Sequence, residues 1–210
     1  MVRGAPPVGK GSTPDRILDA ATVSFASPGY DATSLDALAD TLGIRKQSIL
    51  YWFGSKEALL EAVIDRSAAE LGEALQAALD RAGESWSRVE AVVRSVFRLA
   101  ARRPELIGLV REVGRLGTPA ATRLRDALDP LVGRASGFLQ AEMDAGHMRR
   151  HEPNLLLLAI YSTVVGMITE VEVLRALGEE PTARSLVRRR HEILHLLRSA
   201  LLVEPGSLAG

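Results

Sequence analysis

The chain has 210 residues, of which 47% are hydrophobic and 25% charged, enough apolar material for a buried core and more than a disordered or fibrous chain carries. Its 26 basic and 26 acidic residues cancel, so the whole molecule has no field to draw in nucleic acid, and any such binding has to come from a local patch. Cysteine is absent, which removes disulfide frameworks, thiolate metal sites and thiol nucleophiles together and fits a reducing, cytoplasmic compartment.

Residues 1–12 hold Gly and Pro in place of the apolar stretch a signal peptide needs, and read as a flexible arm. The longest apolar run, 155–168, is closed by Glu170 and Glu172 and is shorter than the ~20 residues that span a bilayer, so no membrane partner is expected. Helical periodicity recurs throughout, with no sustained alternation bounded by hairpin turns. An all-α fold of about nine helices follows.

Thr13 before Pro14 is a cap-then-proline helix start, and Ile17, Ala21, Ser24 and Phe25 mark its inner face. Ser27, Pro28 and Gly29 stop it. Thr33 opens a second helix with Leu35, Leu38, Ala39 and Leu42 on one side, and Gly43 ends it. A third short helix follows within a few residues and reaches Phe53, and Ser55 caps a long fourth that connects to what comes next. Beyond it, helices are predicted over 85–103, from Pro104 to near Gly114, from Thr118-Pro119 to about Ala145, over 153–177 and over 182–203. Pro130 should kink or break the third of these near Asp129. The run 155–168 is apolar nearly all round, so other helices of this chain or of another must cover it.

Residues 35–53 have the pattern of a helix-turn-helix: a short amphipathic helix, glycine and apolar Ile44 at the turn, then polar and basic residues leading the second helix. In that arrangement the start of the second helix points at base edges in the major groove. Arg45 and Lys46 suit phosphate or guanine, Gln47 suits adenine, and Ser48 is small enough for close backbone approach. The same residues also fit the solvated start of an ordinary helix.

From Thr13 to about Val63 the chain resembles the DNA-binding region of the TetR (tetracycline repressor-like) family of transcriptional regulators. The resemblance lies in Phe25, Gly29-Tyr30, Thr33-Ser34-Leu35, Leu38-Ala39, Leu42-Gly43-Ile44 and, above all, Ile49-Leu50-Tyr51-Trp52-Phe53 followed by Ser55-Lys56-Glu57-Ala58-Leu59. It implies that Thr33 and Lys56 contact phosphates, that Arg45, Lys46, Gln47 and Ser48 read bases and adjoining phosphates, and that Tyr51 makes an aromatic backbone contact. Two positions depart from the pattern. Arg45 stands where the family often has a capping serine, and Leu50 where it commonly has a tyrosine. Trp52 and Phe53 are expected in the core of the small domain, from their spacing with Phe25 and Leu38.

The resemblance further implies a DNA-binding domain over 13–54, and a ligand-binding and dimerisation domain over 55–210 with a pocket among its middle helices. It also implies a homodimer made chiefly by the last two helices. Trp86, Phe97, Phe138 and Tyr161 are the large residues able to line such a pocket for an unidentified small molecule. Arg94, Arg98, Arg102 and Arg103 recur at helical spacing, as an anion-attracting stripe or as a solvated face. The expected protein is a repressor released from a pseudo-palindromic operator by ligand, the alternative being a regulator controlled by a protein partner.

His191-Glu192-Ile193-Leu194-His195 spells the H-E-x-x-H of zinc proteases. No third ligand follows at a workable place, and the leucines on the same helix describe a packing face. Neither enzyme activity, nor a metal, nor a cofactor is expected.

Overall fold

The computed structural model describes residues 12–203; the predicted arm, residues 1–12, lies outside them except for Ser12. Ten α-helices are found among the described residues: α1 Thr13–Ser24, α2 Leu35–Leu42, α3 Lys46–Phe53, α4 Lys56–Leu79, α5 Trp86–Arg102, α6 Pro104–Leu116, α7 Ala120–Asp144, α8 Pro153–Thr169, α9 Val171–Ala176 and α10 Ala183–Leu201. No strand occurs among the described residues, so the all-α expectation holds.

The chain divides into two compact units. One takes residues 12–68 together with 105–127, and the other takes 69–104 together with 128–203. In the first, Ile17, Phe25, Leu38, Ile49, Leu59, Val63 and Ile64 from α1 to α4 are fully or almost fully buried, with Leu109 and Val113 of α6 completing the core. Burying a side chain of this size is worth about 1.5–3 kcal/mol, so this shared core is what holds three short helices that would not persist alone. In the second unit, Val93 and Phe97 of α5 pack with Leu139 and Met143 of α7, Val164 of α8 and Ile193, Leu197 and Leu201 of α10.

Several helix boundaries differ from the sequence expectation, each for a local reason. Ser12, rather than Thr13, caps α1; its N–H and hydroxyl both donate to the Asp15 carboxylate, at 3.1 and 2.6 Å. Ser34, rather than Thr33, caps α2, accepting from the Ala37 N–H at 3.0 Å. α7 runs through Pro130 without a break. The expected helix over 153–177 is two, α8 and α9, separated at Glu170 (φ −81°, ψ 64°). That break frees carbonyls in the last turn of α8, and the buried Arg189 of α10 donates to one of them, Met167 O, and at 3.3 Å to Ser185 O of its own helix. Desolvation holds the Arg189 guanidinium below the usual arginine range.

Candidate nucleic-acid interface

The helix-turn-helix is made by α2, a tight turn and α3. Gly43 ends α2 in the left-handed region (φ 66°, ψ 33°), where a β-carbon would be strained, and the next N–H, of Ile44, returns to Ala39 O at 3.0 Å. From the first helix, the Arg16 guanidinium donates to Leu42 O at 3.1 Å, placing a cation at the negative end of α2. Arg45 takes the cap position of α3 in extended conformation and makes no side-chain cap. The amides opening α3 therefore receive nothing from its side chain, only its carbonyl accepting the Ser48 N–H at 2.8 Å, and the residue is left exposed to solvent.

Ile49 is the buried anchor of α3, and Phe53, one turn later, packs on the same core. The opposite face carries an open concavity lined by Thr13, Arg45, Gln47, Ser48, Tyr51 and Trp52. Arg45, Gln47, Ser48 and Tyr51 are thus brought together as the sequence suggests. Trp52 corrects an expectation: it is 50% exposed, in edge contact with Tyr51 at 5.3 Å between ring centroids, and outside the core. Thr13 joins the concavity from the start of α1, and nothing in its own neighbourhood of the sequence signals this.

The remaining predicted residues are placed differently. Lys46 leans back across the turn to Asp36 of α2, Nζ to Oδ2 2.9 Å. Thr33 is buried, its hydroxyl donating to Gly29 O (2.8 Å) and Ser24 O (2.9 Å), so it braces the chain from inside. The exposed hydroxyl at the head of α2 is that of Ser34. Lys56, in the first turn of α4, lies over the Tyr30 ring with its Nζ 4.2 Å from the centroid. Burial pushes the Tyr30 phenol up to about 12, helped by the charge of Glu57 and a hydrogen bond to it.

In the second unit, Phe97 belongs to the packed core, and Trp86 and Phe138 lie against it. The Arg198 guanidinium sits 5.9 Å from the Trp86 centroid and that of Arg88 5.8 Å from Phe138. Tyr161 does not join them; it is 50% exposed on the side of α8 that also presents Leu155 and Leu158. Of the arginine stripe, Arg94 pairs with Glu90 and Arg103 with Glu70. His191, Glu192 and His195 are all exposed on α10, and no group of three or more His, Cys, Asp or Glu among the described residues is arranged to hold a metal. No helix among the described residues is long and apolar enough to cross a membrane.

Residues 17–63, which contain this helix-turn-helix and the concavity's α3 residues, match the sequence model of the bacterial regulatory proteins of the tetR family. That region carries the sequence signature of the TetR family. A stretch of 47 residues is 43% identical to the biofilm operon icaADBC HTH-type negative transcriptional regulator IcaR of Staphylococcus aureus (strain Newman), a match covering 22% of this chain and 25% of that protein. The match thus spans a quarter of the curated relative's length. Two solved structures share the fold across nearly the whole chain. A transcriptional regulator from Saccharomonospora viridis in complex with choline superposes with TM-score 0.76 at 17% identity, covering 91% of this chain and 98% of that one. The regulator FadR of Bacillus subtilis in complex with stearoyl-CoA gives TM-score 0.74 at 19% identity, covering 88% and 97%.

Proposed function

We propose that this protein is a sequence-specific DNA-binding transcriptional regulator that acts as a homodimer and represses from an inverted-repeat operator until a small molecule releases it. The observation that carries the DNA reading is the concavity on the free face of α3, where Arg45, Gln47, Ser48, Tyr51 and Trp52 converge with Thr13. Guanidinium, amide, hydroxyl and indole groups on one exposed helix face are the donors and acceptors that base edges and phosphates require. Residues 13–54 form the DNA-reading part in this proposal, and 55–210 the regulatory and dimer-forming part. Lys46 and Lys56 act on flanking phosphates, and the role the family resemblance gives Thr33 passes to Ser34, which presents its hydroxyl outward at a helix N-terminus.

Repression is supported by the HTH-type negative transcriptional regulator IcaR, to which 47 residues of this chain are similar. Homodimerisation is supported by the apolar side of α8, where Leu155 and Leu158 are 65% and 57% exposed. For the effector, the neighbours holding choline and stearoyl-CoA support a small molecule, and this proposal places its site near Trp86 and Phe138. One observation favours control by a protein partner instead: Phe97, one of the residues expected to line a pocket, is only 2% exposed and packed in the core.

Selection of sites from random duplex DNA by the purified protein, then titration of the winner at two salt concentrations, tests the proposal. An enriched inverted repeat whose affinity falls steeply with salt is expected, since each neutralised phosphate contributes about 0.9 to the log–log slope. No enrichment overturns it.

A further inference from the structure

α6 approaches the turn between α1 and α2 closely enough that a side chain at the contact would be crowded. A β-carbon on Gly108 would stand 3.1 Å from Ala26 Cβ and 3.4 Å from Ala26 O. Four residues on, Glu112 reaches into the turn, and its Oε1 occupies the space a side chain on Gly29 would take, 3.0 Å from an ideal Cβ there; Gly29 itself has φ +115°. The same Oε1 accepts the Tyr30 N–H at 2.7 Å. Arg115 holds the carboxylate from the other side, through Nε to Oε2 and Nη2 to Oε1, both 2.8 Å, and reaches Asp31 at 2.9 Å.

The backbone gripped by Glu112 leads directly to two outward groups. Gly29 O receives the Thr33 hydroxyl at 2.8 Å, and the residue after Thr33 is Ser34, at the head of α2. Tyr30 carries Lys56 over its ring at the head of α4. These heads are the N-termini of two helices, where free amides and the helix dipole favour an anion. The base-facing residues Arg45, Gln47 and Ser48 depend instead on the Gly43 turn and the Ile49 anchor.

We infer that Glu112 is a positioning residue for DNA binding: from α6 it fixes the turn between α1 and α2, and through that turn sets Ser34 and Lys56 against the phosphates flanking the base contacts. The inference rests on the DNA-binding reading above. Losing Glu112 therefore removes phosphate contacts and leaves base preference intact.

The test compares wild type, Glu112→Ala and Glu112→Gln on the selected duplex across a salt series, with thermal melts alongside. In Glu112→Ala the Tyr30 N–H loses its acceptor. Its affinity should fall tenfold or more and its log–log salt slope should drop by about 1 per half-site, the loss expected for the one phosphate that Lys56 neutralises, while the selected sequence is unchanged. Glu112→Gln, whose amide oxygen can still accept from Tyr30, should recover most of both. If Glu112→Ala does not fold, Arg115→Ala, on an exposed side chain, must show the reduced slope. Wild-type slope in the folded variants overturns the positioning role, even with lower affinity, because a purely structural defect reduces the active fraction without changing the contacts made. Wild type that binds no duplex overturns the DNA-binding reading and this role together.

Discussion

Lys46 Nζ, at the start of α3, is 2.9 Å from the Asp36 carboxylate of α2, so this cation of the proposed interface is already paired in the free protein. Both side chains are well exposed, at 41% and 67%, and such a pair is worth about 0–1 kcal/mol. Phosphate therefore competes with Asp36 for Lys46 on nearly even terms. Asp36→Ala frees the lysine and removes a negative charge from the proposed interface. Binding to random-sequence duplex should tighten by about two- to fivefold at low salt, the equivalent of the pair's own worth. Binding to the selected operator should tighten less, so discrimination falls. Fluorescence anisotropy with specific and random duplexes checks this; equal affinity of variant and wild type for random DNA would show that Asp36 does not restrain Lys46.

Tyr51 and Trp52 are 81% and 50% exposed, whereas Ile49 on the same helix is fully buried. Substitution on the two faces should have opposite signatures. Trp52→Ala should leave stability within about 0.5 kcal/mol of wild type, as for surface positions generally, and weaken operator binding by about tenfold or more. Ile49→Ala should cost about 2–5 kcal/mol through the cavity it leaves. Urea melts and operator titration on both proteins separate the two effects. A Trp52→Ala protein that melts early and binds normally would return the indole to a packing role.

The aromatic triplet shows where sequence reading reached its limit. Three consecutive helical residues cover about 200° of the helix surface, so Tyr51, Trp52 and Phe53 cannot all face one core. Phe53 goes inward because it lies four residues after Ile49, and Trp52, three residues after it, falls on the flank. The helices themselves were legible because glycine and proline punctuate a 3.6-residue period, and the turn at Gly43 because only a left-handed residue closes α2 there. Adjacent Thr33 and Ser34 were both eligible caps. The carbonyls of Ser24 and Gly29 decide between them by drawing Thr33 inward, and no local pattern carries that information. Nor does one mark Glu112, whose partner Tyr30 is 82 residues away, or the end of α8 at Glu170, which has neither glycine nor proline.

Acid should loosen the same region. The hydrogen bonds from Arg115, and then from the Tyr30 N–H, hold the Glu112 carboxyl below its ordinary value of 4.5. A depressed carboxylate stabilises the fold fully above its unfolded value, and the contribution is lost as pH falls through the lower folded value. The stability gap between wild type and Glu112→Gln should therefore be constant at neutral pH and shrink as the pH is taken into the acid range below the ordinary value of 4.5. Asp15 and Glu57 are depressed as well, chiefly by hydrogen bonds to Ser12 and at the first turn of α4, so both proteins still lose stability in acid. Thermal melts across that range check the difference. A gap that does not change with pH would mean that the charge on Glu112 adds nothing beyond its acceptor atoms.

Leu155 and Leu158 stand side by side on the outward face of α8, with Tyr161 one further step along. Large contiguous apolar surface is uncommon on a monomer, and the proposed dimer covers it with a second copy. An arginine introduced at the centre would be buried there without a counter-charge, a change that costs several kcal/mol at an interface. Leu158→Arg should therefore be monomeric at micromolar concentration by sedimentation velocity, with its helical circular dichroism unchanged because the side chain lies outside the core. The two helix-turn-helix units would then bind their half-sites independently. Linking two such sites raises affinity by about 10² to 10⁴, so affinity for the inverted repeat should fall by at least the lower figure while that for an isolated half-site stays the same. A variant that remains dimeric would place the interface on another surface.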